Sequence, residues 1–409
     1  MSAARRGASM SAPEHAGRGT RFVVYPQPPG PGSSFGPETV WISVTPDDLA
    51  PGPADARIYV VDAAYKYLPY TEPPNLPPFT GQQVAPLEAG PDGHFDHVVP
   101  GTRAFGAAHI YAVTRRVLDL WEHYFGRPVP WHFREDLDRL ELIPWLDWNN
   151  AHAGYGFIET GYRRNEQGEA VPLCLNFDVI AHELGHSLLY SVLGLPVTAD
   201  PSLEYLALHE SASDLVAIIA SLHFDSVIDT VLRSTRGNLH RYNVANRIGE
   251  LGVGQQIRLA SNDLRLEDVP PLHTRVSALS YREIHDTGQP LTGALFDILA
   301  EVYQHILVRE GLISPALERL PLRTAHSHAQ LAAAQSGYDA AYAAQPNGFR
   351  AALAETRDTL GFLLAEGWSR LDPDLRFAEV PDALLQADDM LFAGEHGDII
   401  DASLAWRGL

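Results

Sequence analysis

The chain of 409 residues has very little sulfur chemistry to draw on. Cys174 is the only cysteine among 409 residues. One cysteine excludes an internal disulfide and any zinc site made of several thiolates. Between Leu173 and Leu175 it reads as a small buried apolar residue. Lysine is equally scarce: Lys66 is the only one, and all other basic residues are arginine. Lys plus Arg total 30 against 51 Asp plus Glu, a formal charge of −21. A protein that binds nucleic acid by neutralising phosphates carries the opposite balance, so no nucleic-acid partner is expected. An anionic membrane surface is an equally poor partner. No run reaches the roughly 18 apolar residues of a membrane span. The N-terminal MSAARRGASMSAPEHAGRGT has no apolar core after its arginines and does not read as a secretory signal. A cytoplasmic location, or export by a non-classical route, is the resulting expectation.

What the chain does have is an ordinary globular composition, 45% hydrophobic and 20% charged, which excludes disorder of the whole. It also has 18 histidines beside its many carboxylates. Any metal site must therefore use His, Asp and Glu.

Organisation changes along the chain. Residues 1–20 read as a disordered tail. Residues 21–100 hold about half of the 31 prolines, with short β-like runs at 21–25, 39–44 and 57–62 and a stiff stretch at 72–78. From about Arg103, Ala108, Tyr111, Leu118, Trp121 and Phe125 follow helical spacing up to Gly126. Residues 129–175 return to strand and loop. Helices dominate from 176 onward. Phe177, Ile180, Leu184 and Leu188 form one stripe, Leu203 to Leu222 a second helix, and Leu291 to Ile306 a third with Pro290 in its first turn. Four regions are expected: 1–20, 21–100, an α+β stretch 101–187, and a helical part 188–409.

The chemistry concentrates in DVIAHELGHSLL. His182 and His186 are four apart, so on a helix both imidazoles face one side, a turn apart. They can share one zinc. Glu183, next to the first, can take a proton from a water at the metal. Asn176 or Asp178 can cap the helix start. The bland alternative is an exposed helix with two solvated histidines, which leaves Glu183 and the opposed apolar stripe unexplained. A third ligand must come from elsewhere. In LHESASDLVAII, Glu210 and Asp214 again stand four apart. Glu210 can ligate, and Asp214 can accept from the non-ligating nitrogen of His182. The alternative, a solvated surface pair, sits poorly with Leu215, Ile218 and Ile219 beside them.

These pieces resemble the thermolysin-like metallopeptidases and their relatives the fungalysins. FGAAHIYAVTRRVLDLWEHYFG, WNNAHAGYG, DVIAHELGH, HESASD, REIHDTGQPLTGALFDILAEVY and the tail ALLQADDMLFAGEHGDIIDASLAWRGL occur in the family's order, from about Phe105 to Leu409. The resemblance implies an α+β, two-lobed fold with a cleft between a mixed N-terminal lobe and a mainly helical C-terminal lobe. It implies a zinc endopeptidase acting on a peptide or protein substrate. His285 would hydrogen-bond the tetrahedral oxyanion. Asn150 and the Ala151 backbone would hold substrate as an added strand. Val179 and Ile257 match apolar positions near the first primed-side pocket. Arg258 stands either as the substrate-carbonyl arginine or as a surface arginine.

The chain also departs from the family. The tyrosine expected nine residues before Glu210 falls on Pro201. Tyr205 is nearby but out of register, and Tyr155 and Tyr281 are possible substitutes. Asp178 matches a calcium ligand, but its acidic partner eleven residues after Glu210 is Ser221, although Asp229 stands at another calcium position. Calcium is therefore a doubtful second ion. Two further readings stay open: a non-catalytic zinc-containing binding or scaffold protein, and a hydrolase dedicated to one protein or modified peptide.

Overall fold

The helical spacing after Arg103 becomes helix α1, Arg103–Phe125. The Thr102 hydroxyl accepts from the Phe105 N–H at its start, and Gly126, at φ 66°, ends it in the left-handed conformation. A residue with no Cβ adopts that cap at little cost. Ala108, Tyr111, Leu118 and Trp121 are all buried, so the stripe read from the sequence faces a core.

The computed structural model describes residues 17–409 apart from 30–34, 72–74, 165–167, 197–200, 253–254 and 319–327. Most of the expected tail, and the first part of the stiff 72–78 stretch, lie outside the described residues. Before α1 come β1 (Thr20–Val24), β2 (Glu38–Ile42) and β3 (Ile58–Val60). β1 and β2 pair antiparallel, and Phe22 of β1 stacks on Phe95 with ring centroids 4.9 Å apart. After α1 come β4 (Leu140–Ile143), β5 (Ala151–Gly154), β6 (Phe157–Thr160), β7 (Tyr162–Arg164) and β8 (Ala170–Pro172). Next are helices α2 (Phe177–Leu193), α3 (Leu203–Ser221) and α4 (Asp225–Thr235), then strands β9 (Arg247–Gly252) and β10 (Gln255–Leu259). The chain closes with helices α5 (Tyr281–Arg309), α6 (Pro315–Glu318), α7 (His328–Ala344), α8 (Pro346–Trp368), α9 (Val380–Phe392) and α10 (Gly397–Arg407). The fold is mixed α/β with small sheets.

The largest sheet has the order β3-β4-β6-β5. β3, β4 and β6 run parallel, and β5 closes the sheet antiparallel to β6. Alternation sorts its two faces. Ile58, Val60, Leu140, Leu142 and Ile158 join α1 in the main core. Val61, Ile143 and Phe157 form a second cluster with Ala63 and Tyr70 of the Pro-rich segment. That second face also buries two carboxylates. Glu141 accepts from the Tyr59 and Tyr70 hydroxyls, each at 2.7 Å, and from the Phe79 N–H at 3.0 Å. Glu159 accepts from the Tyr70 N–H at 2.7 Å and pairs with Lys66 Nζ and His152 Nε2, each at 2.9 Å. The only lysine is thus a buried counter-ion. Leaving either carboxylate uncompensated would be strongly destabilising, so the pair clamps the Pro-rich segment onto the sheet.

Helix α5 departs from expectation. It starts at Tyr281 rather than just before Leu291, so Pro290 lies inside it and not in its first turn. The stronger start signal is a capping box, in which Ser280 and Glu283 satisfy each other's backbone N–H groups. That signal adds two bonds where Pro290 removes one. By length and composition α5 could cross a membrane, but 83% of its apolar window is buried inside the protein.

His109 of α1 ties three parts of this framework together. Its Nε2 accepts from the Tyr25 N–H at 3.0 Å, so Nδ1 carries the proton and donates to the Cys174 carbonyl at 2.9 Å. Burial holds its pKa down at about 4. Below pH 6.5 the unfolded chain takes up a proton that the folded chain refuses until about pH 4. Stability is therefore lost as pH falls through that window, by about 3 kcal/mol from this residue. Urea unfolding at pH 7 and pH 4.5 is expected to show a smaller pH dependence for His109→Gln than for wild type. Identical dependence would remove the assignment.

Candidate metal centre

Helix α2 begins at Asn176, whose side chain accepts from the Val179 N–H at 3.2 Å. Asp178, the other capping candidate, is not the cap. Its buried carboxylate instead accepts from Gln27 Nε2 at 3.2 Å and from the Gly249 N–H at 3.3 Å. Phe177, Ile180, Leu184 and Leu188 are buried in the main core. The other side of the helix presents His182 and His186, with ring centroids 4.8 Å apart.

Two glycines bring the neighbouring helices close. A Cβ on Gly185 would lie 2.8 Å from Ser213 Cα of α3. A Cβ on Gly288 of α5 would lie 2.7 Å from the Ala207 carbonyl oxygen and 3.1 Å from Glu210 Cβ of α3. Both contacts are closer than any real side chain tolerates. Only hydrogen at these positions lets α2, α3 and α5 meet so tightly.

The result is convergence of four side chains. Glu210 Oε2 lies 3.5 Å from His182 Nε2, and its Oε1 lies 3.6 Å from His186 Nε2. One ligand atom each from His182, His186 and Glu210 falls within 4.8 Å of the others. His285 of α5 places Nε2 3.1 Å from Glu210 Oε2. Its Nδ1 donates to the Tyr281 carbonyl at 2.7 Å, so Nε2 carries a proton only in the imidazolium form. Glu183 is buried beside the first histidine.

Each ligand-type side chain is held by a neighbour. Asp214 Oδ1 lies 2.9 Å from His182 Nδ1, which orients Nε2 toward Glu210. Thr292 donates to the other Asp214 oxygen at 3.3 Å. Ser213 Oγ is 3.3 Å from His186 Nδ1. Arg258, on β10, is no surface residue. Its guanidinium bonds Asp214 Oδ1 at 2.7 Å, lies 3.2 and 3.3 Å from the two nitrogens of His182, and reaches to 3.8 Å from Glu210 Oε2.

Three buried carboxylates (Glu183, Glu210, Asp214) thus gather around one guanidinium whose side chain is 14% exposed. With all histidines neutral and all three carboxylates ionised the cluster would carry −2, three negative charges against one positive. Burial and Arg258 oppose a charge on His182, but Asp214 and Glu210 outweigh them and lift its pKa to about 9. Without a metal, a proton on His182 therefore offsets part of that charge. Burying an uncompensated charge is expensive. A divalent cation would balance it. Burial itself lifts the Glu183 carboxyl above its ordinary range, with His182 opposing and Glu210 reinforcing the shift. Burial also depresses His186, to about 3, which keeps that imidazole neutral as a ligand must be. Glu210 Oε2 is buried with no hydrogen-bond donor. A donor set of two imidazoles and one carboxylate, with an orphaned buried oxygen, fits zinc.

The remaining expected residues fall at different distances from this cluster. Ala151 and Val179 pack together with Leu173, and Ile257 lies against them. Gly161 N–H donates to the Asn150 carbonyl. By the alternation of an antiparallel ladder, Ala151 and Ala153 then turn their backbone groups to the free edge of β5. The Asn150 side chain itself is 3.5 Å from Arg163. Tyr205 donates to the Gly194 carbonyl at 2.7 Å and Tyr155 donates to Asp136, so neither phenol is free. Tyr281 differs: it is 63% exposed and packs on His285 with centroids 4.1 Å apart. Two of the calcium-type positions have other partners. Ser221 donates to the Ile218 carbonyl and Asp229 pairs with Arg350.

Some site residues escaped sequence reasoning. Ser213 could have been found, because it stands three residues after Glu210 on the same helical face. Thr292 and the glycine contacts left no such signal. His152 carried none either, although it is near enough for its charge to act on Glu183.

No family model matches the sequence, and no curated protein matches it. Among solved structures the chain is similar to the precursor of protealysin, a metalloproteinase from Serratia proteamaculans. The TM-score is 0.47 at 12% identity, over 88% of this chain and 89% of that one. Likeness at this level does not assign a function.

The glycine contact yields a test of the geometry. Gly185→Ala should lower stability by about 1–3 kcal/mol and weaken zinc retention, because α2 and α3 must part. Gly36, where an added Cβ would meet nothing within 4 Å, is the control, and Gly36→Ala should change neither. Thermal melts with metal titration check both; unaltered zinc affinity in Gly185→Ala would contradict the account.

Proposed function

We propose that the protein is a zinc-dependent metallopeptidase with a two-lobed, thermolysin-like arrangement, hydrolysing peptide bonds with Glu183 as general base. One observation carries this reading: His182, His186 and Glu210 converge around an orphaned carboxylate oxygen, with Glu183 beside them and His285 facing them. Zinc bound by those three residues would supply a Lewis acid that makes water acidic and polarises a carbonyl.

The protein's own groups then divide the work. Asp214 fixes the His182 tautomer, and Arg258 holds Asp214. The outward backbone groups of Ala151 and Ala153 hold the substrate as an added strand. Glu183, destabilised as an anion by burial, accepts a proton from the attacking water. The water oxygen bonds to the peptide carbon. His285, with Nε2 facing the cluster, would donate from Nε2 to the developing oxyanion once protonated, against the lowering of its pKa by burial. The C–N bond breaks as Glu183 passes its proton to the leaving amine.

A second reading, a zinc-containing scaffold, is favoured by two features. Pro201 stands where the family tyrosine is expected, and the His285 Nδ1–H is taken by a backbone carbonyl, so its Nε2 donates only as imidazolium, a form burial disfavours. Turnover decides between them. Glu183→Gln should keep stoichiometric zinc while kcat/KM on peptides falls roughly 10²–10⁴-fold. Zinc without turnover in the wild type would favour the scaffold; full activity in Glu183→Gln would remove the mechanism.

A further inference from the structure

The Pro-rich segment does more than cover one face of the sheet. Beside β5 it leaves a groove of about 600 Å³, lined by Tyr70 and Leu76 of that segment and by Trp148, His152, Gly154 and Phe157. The aromatic rings form a continuous floor. Tyr70 and Phe157 are 4.9 Å apart, His152 and Phe157 5.0 Å, and Trp148 and His152 4.9 Å. Gly154 keeps the groove open: a Cβ there would lie 2.4 Å from the Phe157 ring.

The groove lies along an unpaired sheet edge. β5 is the terminal strand of its sheet, and no strand pairs with its outer side among the described residues. A peptide that pairs with Ala151 and Ala153 alternates its own side chains between the two faces. Residues opposite Ala151 and Ala153 fall on the face of Val179. Those opposite His152 and Gly154 fall on the aromatic face. The floor is held rigidly, because Glu141 binds the Tyr70 hydroxyl while Glu159 binds the Tyr70 N–H, Lys66 and His152.

We infer that the Pro-rich segment supplies a specificity subsite, in which the groove takes a large apolar or aromatic side chain of an extended substrate peptide. This rests on the metallopeptidase reading. The lining has no free charge to attract a polar side chain: the His152 nitrogen is engaged by Glu159, and Lys66 and both carboxylates are paired. Burial of an aromatic side chain on such a floor is favourable through apolar area and ring contacts.

The test is cleavage-site profiling of a diverse peptide library by mass spectrometry, using zinc-loaded wild type, Leu76→Trp and Glu183→Gln. Leu76→Trp fills the groove from a half-buried position, and Trp148→Ala enlarges it, so the inference does not depend on one variant folding. Wild type should enrich aromatic or large aliphatic residues at one position within three of the cleaved bond. The ratio of kcat/KM for an aromatic over an alanine peptide at that position should fall roughly tenfold in Leu76→Trp. It should also fall in Trp148→Ala, which loses part of the floor. Cleavage without such enrichment, or enrichment unchanged in both variants, overturns the subsite while leaving the metallopeptidase reading standing. No Glu183-dependent cleavage by wild type overturns that reading, and the subsite with it.

Discussion

Three carboxylates shut away from water with a single guanidinium between them are the constraint on which this structure depends. A cluster of formal charge −2 costs several kcal/mol per uncompensated ion inside a protein. It persists because helices α2, α3 and α5 are packed too tightly for the carboxylates to turn away. Gly185 against Ser213 and Gly288 against Ala207 set that distance. The same packing aims Glu210 at both histidines and His285 at Glu210. Close helix contact and the convergence of the ligand-type side chains are thus one property seen twice. The apolar stripe of α2 supplies the burial, and the opposite face holds carboxylates whose charge a proton or a cation can offset.

The sheet uses a comparable device for another end. Glu141 and Glu159 are buried and fully engaged by tyrosine hydroxyls, backbone N–H groups, the one lysine and His152. These bonds fasten a proline-rich chain with few regular hydrogen bonds of its own. They also join the segment to His152 through Glu159. The described part of the Pro-rich segment is therefore fastened to the sheet that carries β5.

Much of the site could be read directly because helical spacing is local. His182 and His186, and Glu210 and Asp214, share helical faces by arithmetic alone. The start and stop of α1 followed from the apolar period beginning at about Arg103 and from Gly126, while the Thr102 cap came from the structure. Other features could not be read because they depend on what packs against them. Arg258 looked as much like a surface arginine as a site residue, and only the fold of the β9–β10 hairpin brings it to Asp214. Pro290 looked like a helix start, since the capping box ten residues upstream carries no apolar periodicity of its own. Asp178 and Asn176 were equivalent candidates for the cap until Gln27, 151 residues away in sequence, engaged the aspartate. Glu141 and Glu159 interrupt strands that would otherwise read as plain apolar runs, and nothing local announces their tyrosine and lysine partners. Contacts between distant residues are the common element in each of these cases.

The account's central claim is that two imidazoles and one carboxylate from three turns of helix form a zinc site. X-ray absorption at the zinc edge on the purified, zinc-loaded protein tests it most directly. The predicted result is one zinc per chain with two imidazole nitrogens at about 2.0–2.1 Å and oxygen ligands at about 2.0–2.2 Å, the histidine signature being lost in His186→Ala. A metal shell without imidazole, or a protein that binds no zinc at all, would contradict it.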